Sequence, residues 1–84
     1  RRGDYATGVA QARRALSTSP DNDTALFALG MCQYGLGDAV QAARALGTLL
    51  EGARGQRFRA EQPDLCQLAL QVHGGMASAD LAAA

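Results

Sequence analysis

Few side chains in this chain of 84 residues carry reactive chemistry. Cys32, Cys66 and His73 are the soft-metal ligands and nucleophiles on offer. A metal site would need a fourth ligand and a recognisable spacing, and the two cysteines stand too far apart in sequence for a finger-type pair. A Cys–His nucleophile would need an orienting group and an anion-stabilising site as well, and no acidic cluster accompanies His73. His73 falls at the end of an expected helix, where the helix dipole favours its protonated form and where histidine is common for structural reasons. Free cysteines on helices are ordinarily small buried hydrophobes. The expectation is no enzyme, no metal and no cofactor.

Three other stretches invite a functional reading. Arg2-Gly3-Asp4 spells an integrin-binding tripeptide, but Gly3 and Asp4 belong to a turn that recurs downstream, which accounts for both. Arg54, Arg57 and Arg59 flank Phe58, and a basic–aromatic stretch can grip single-stranded nucleic acid. Three charges make a small footprint, and a solvated linker or contacts to acidic groups of a partner explain them as well. Gly35-Leu36-Gly37 lacks the third glycine and the lysine of a phosphate loop.

The elements that must position these residues are helical. Eight basic and eight acidic residues cancel to a formal net charge of zero, which gives no global electrostatic drive toward nucleic acid or an anionic membrane. The chain is 48% hydrophobic but only 5% aromatic, and much of the apolar content is alanine, which favours helix while burying little surface. A domain this short has a thin stability margin. Every basic residue is arginine, a bias that goes with GC-rich bacterial coding. Two cysteines are too few for a disulfide-stapled scaffold, and no apolar run approaches the roughly 20 residues needed to span a bilayer. The expected location is the cytoplasm.

Gly3-Asp4-Tyr5 and Gly37-Asp38-Ala39 lie 34 positions apart. At the same offset Gly8 matches Ala42, Val9 matches Ala43, Ala12 matches Leu46, Ala15 matches Leu49 and Leu16 matches Leu50. Positions 9, 12, 16 and 43, 46, 50 are spaced as one face of a helix. Asp4, Asp23 and Asp38 stand where helix N-caps are expected. Ser17 to Asp23 is a dense breaker, with Pro20 unable to continue a helix. The pattern predicts helices over roughly 4–17, 24–35, 38–52 and 63–73. Residues 52–56 read as a Gly/Arg connection. Pro63 suits the first turn of the fourth helix, whose apolar stripe is Leu65, Leu68, Ala69 and Val72. Gly74-Gly75 is expected to stop it, leaving 76–84 as an Ala-rich tail in which Ser78 could cap a short last helix.

Leu29-Gly30, the Gly3-Asp4-Tyr5 turn, Ala42 and Pro20 together resemble the tetratricopeptide repeat family, whose period is 34 residues. The resemblance implies an all-α fold of antiparallel helix pairs: 3–22 as the second half of one repeat, 24–51 as a full repeat and 63–73 as a capping helix, in one domain over 1–75. Gly8 departs from the usual alanine, which weakens the first helix by about 1 kcal/mol. Gln33 stands where a large aromatic is common, which loosens packing there. The family implies protein binding. Its groove-lining helix maps onto 24–34, which puts Thr24, Phe27, Met31 and Tyr34 on the partner-binding side. The opposing reading is that Phe27, Met31 and Tyr34 pack against the fourth helix. The Lys/Asn/Arg set that clamps a carboxylate in the co-chaperone branch is missing. Residues 29–37 resemble the matching helix of small type III secretion chaperones. The expected partner is therefore an apolar or helical segment of another protein, with no nucleic acid and no membrane. The alternative is a structural terminal repeat of a larger scaffold or secretion-system subunit. The first helix lacks a preceding partner helix, so either the chain is a fragment or another copy or chain covers Tyr5, Val9, Ala12 and Leu16, making a homo- or hetero-oligomer.

Overall fold

The computed structural model describes residues 2–83, with side chains described for residues 3–76. Five helices follow one another: α1 (Arg2–Thr18), α2 (Asp23–Gly35), α3 (Ala39–Leu50), α4 (Gly52–Glu61) and α5 (Pro63–Ala83). Among the described residues there is no strand. The all-α expectation holds, with one helix more than the sequence pattern suggested.

Local chemistry explains most boundaries. After the breaker, the Asn22 side chain accepts from the Ala25 amide at 3.0 Å and caps α2. Asp23, the expected cap, lies in the first turn instead, because its carboxylate is engaged elsewhere. Gly37 has φ of 82°. That left-handed residue lets the Asp38 amide donate to the Gln33 carbonyl at 2.9 Å and the Gly37 amide to the Tyr34 carbonyl at 3.0 Å. The paired bonds satisfy the last carbonyls of α2. Asp38 then caps α3 by accepting from the Gln41 amide at 3.3 Å. A Gly-Asp pair thus ends one helix and starts the next. In α1 the helix already begins at Arg2, so Gly3 and Asp4 sit in its first turn rather than before it.

Two expectations about the C-terminal half are corrected. Residues 52–56 are not a connection but the start of α4. Gly55 is needed because a Cβ there would fall on the Leu50 carbonyl, so the first turn of α4 lies directly against the end of α3. Phe58 supplies the energy that the arginine-rich stretch hid: it is fully buried, worth about 2–3 kcal/mol on folding. Gly74 and Gly75 do not stop the last helix, which continues to Ala83. Each glycine costs about 1 kcal/mol in a helix, but Met76 just beyond them is buried in the core and holds the helix through. Ser78 lies within α5, and its side chain is outside the described residues.

The core centres on α3. Ala42, Leu46 and Leu49 are fully buried and meet Phe58 of α4 and Ala69 of α5. Leu46 presses onto α2 at Gly30, where an added Cβ would lie 2.7 Å from its Cδ2. α3 packs against α2, α4 and α5, whereas α1 packs on α2. On α5, Ala69 is buried and Leu65 and Val72 pack on the core, while Leu68 is exposed. Among the described residues no helix is long and apolar enough to cross a membrane.

Candidate interaction surfaces

The stripe Thr24, Phe27, Met31 and Tyr34 divides in the structure. The Thr24 hydroxyl accepts from Gln62 Nε2 at 3.1 Å. Phe27 is half-buried with its ring centroid 6.2 Å from that of Phe58, the planes tilted by 39°. Met31 is half-buried against the core. Tyr34 is 49% exposed. The N-terminal half of the stripe is therefore engaged by the end of α4, and at the C-terminal end Tyr34 is left largely exposed beside the half-buried Met31.

Tyr5, Val9, Ala12 and Leu16 lie along α1, mostly in its seam with α2. The Tyr5 ring covers Gly35, where a Cβ would come within 2.7 Å of it. One turn on, Gly8 faces the Cys32 thiol so closely that a methyl group would collide with it. Ala12 is buried, Leu16 packs on the core and Val9 is half-buried. What remains outward is the edge of Tyr5, 39% exposed.

The arginine stretch is tied down inside the chain. Arg54 Nε donates to Asp23 Oδ1 at 2.8 Å, and Arg57 Nη2 to Asp23 Oδ2 at 3.1 Å. Arg54 Nη2 also donates to the Pro20 carbonyl at 2.9 Å. Asp23 is buried, so two guanidinium groups neutralise a carboxylate that could not otherwise leave water. The clamp fixes α4 to the α1–α2 turn. With Phe58 in the core and two of the three arginines paired, the nucleic-acid reading of this stretch loses its basis. Arg59 is exposed beside a hollow of about 460 Å³ that reaches the buried Cys66.

Cys32 faces α1, Cys66 lies in the core, and His73 sits over Gly47 of α3. Among the described residues no group of three His, Cys, Asp or Glu side chains converges as metal ligands would.

One surface left almost no signal in the sequence. Arg13 of α1 and Arg44 of α3 border a groove of about 320 Å³ whose floor is Leu26, Leu29 and Gln33 of α2. Gln33 is 4% exposed, and its Oε1 has no hydrogen-bond partner. Arg13 and Arg44 form no ion pair among the described residues. A glutamine at an apolar helix position is the only trace the sequence held.

No curated protein and no solved structure matches this chain. The Leu29-Gly30 pair packs against α3 where two helices must approach closely, and Gly37-Asp38 makes the turn between them. A sequence model of the tetratricopeptide repeat matches residues 1–61, most of the 84. With that match over helices so arranged, the chain belongs to the tetratricopeptide repeat family.

Proposed function

We propose that the chain is a chaperone or adaptor that holds an apolar or helical segment of a partner protein against the Met31–Tyr34 end of α2. Tetratricopeptide repeats are in general protein–protein interaction modules, and the proposal narrows that role to one surface. The observation that carries it is Tyr34: a large aromatic, half exposed, on the same face as the half-buried Met31. Tyrosine and methionine suit binding surfaces because each presents adaptable apolar area at modest entropic cost. Thr24 and Phe27, engaged by Gln62 and Phe58, act as the rigid wall of that surface rather than as free contacts. The resemblance of residues 29–37 to small type III secretion chaperones supports a bacterial, cytoplasmic setting and a secreted subunit as client.

Tyr34→Asp tests the proposal, since Tyr34 lies outside the core and the variant keeps its fold. Affinity capture should return one stoichiometric partner with the native chain and at least tenfold less with the variant, at unchanged helical circular dichroism. Equal capture by both would remove Tyr34 from the account. The alternative, a structural terminal repeat that self-associates through Tyr5, Val9, Ala12 and Leu16, has less support, because α2 already covers Ala12 and takes the Tyr5 ring.

A further inference from the structure

We infer that the groove between α1 and α3, on the other side of α2 from Tyr34, is a second docking site, and that it takes a short extended acidic segment of a partner protein. Three observations converge there. Arg13 and Arg44 rise on opposite lips and are exposed, with no ion pair among the described residues. Leu26 and Leu29 give the floor an apolar patch. Gln33 closes one end of that floor, its side chain buried and its Oε1 without a hydrogen-bond partner.

Charge and length choose the occupant. Two guanidinium groups across one groove select carboxylates, which accept paired hydrogen bonds from them. A bare anion would leave the apolar floor uncovered, whereas a peptide can carry an apolar side chain onto it beside its carboxylates. From Leu26 to Gln33 the floor runs about 10 Å at 1.5 Å per residue. An extended segment of three residues has the same length at about 3.3 Å per residue. In such a segment the first and third side chains point one way and the second the other. An acidic–apolar–acidic triplet that sets its middle side chain on the floor at Leu29 turns both carboxylates outward to the rim, where the exposed, flexible Arg13 and Arg44 side chains can fold over to meet them.

The test is a titration of the isotope-labelled chain with acetyl-Glu-Leu-Glu-amide, followed by the Gln33 side-chain amide and the Nε–H signals of Arg13 and Arg44. Saturable shifts at those three groups are expected, at least fivefold smaller with acetyl-Gln-Leu-Gln-amide and at raised salt. The double variant Arg13→Gln, Arg44→Gln should abolish them, while Arg59→Gln leaves them intact and the backbone spectrum of each stays native. The inference is overturned if no shift appears with peptide at about 10 mM, tenfold above the Kd of a millimolar ligand. It is equally overturned if the neutral peptide acts alike, if Arg59→Gln is as damaging, or if the shifts fall on Tyr34 instead. Absence of shifts, loss of selectivity or sensitivity to Arg59→Gln leaves partner binding at Tyr34 untouched, whereas shifts at Tyr34 would move the acidic ligand to that surface.

Discussion

At the scale of single residues, the meaning of a side chain here depends on what stands opposite it. Gly8 is the clearest case. By helix propensity alone alanine would be better by about 1 kcal/mol. The structure puts the Cys32 thiol where that methyl would go, and overpacking costs about 1–3 kcal/mol. Gly8→Ala is therefore expected to destabilise by about 1 kcal/mol in the native chain and to stabilise by up to about 1 kcal/mol in a Cys32→Ala background. Urea unfolding of the four proteins of the cycle measures the coupling, and the same sign in both backgrounds would mean that the thiol simply rotates aside. Gln33 teaches the same lesson from the other side. At the residue level it is a poor substitute for an aromatic, yet its buried side chain lines a groove that Arg13 and Arg44 border.

At the scale of elements, α4 was hidden because its sequence conceals its driving force. Ten residues with two glycines and three arginines carry no apolar period, so patterning gives no sign of a helix although most of the residues favour one. Two long-range contacts make it one: Phe58 in the core and the clamp of Arg54 and Arg57 on Asp23. Asp23→Asn keeps the size and loses the charge. It should cost about 2–3 kcal/mol, the value of charge-assisted bonds to a buried carboxylate, held down because both arginines are partly exposed. Chemical denaturation checks the size, and amide exchange should show the loss concentrated in α4. A loss below about 0.5 kcal/mol would mean that Phe58 alone seats the helix. α5 shows the converse, since Met76 anchors a helix across a glycine pair that would end it in isolation.

For the whole molecule, the uneven packing predicts uneven opening. α3 is enclosed by α2, α4 and α5, whereas α1 is held through its seam with α2. Units held by one seam open at lower free energy than the centre. Amide protection in α1 should be at least about tenfold lower than in α3, and a partner seated on the groove at Arg13 should raise it by bridging α1 to α3. Uniform protection across the five helices would show that the chain opens only as a whole. The two proposed docking surfaces use different faces of α2, so on that reading one chain has room for two segments at once.

The sequence by itself determined the all-α fold, the family, the turn at Gly37-Asp38 and the inward faces of α1 and α3. These are local properties: capping, glycine's left-handed φ and helical spacing act over a few residues and leave their mark in the order of the letters. Only the tertiary structure decided that Arg54 and Arg57 bind Asp23 rather than a partner, that Phe27 meets Phe58, and that Arg13 and Arg44 share a groove over Gln33. Those pairings join residues far apart in the chain, and nothing within one helix specifies what the next will place across from it.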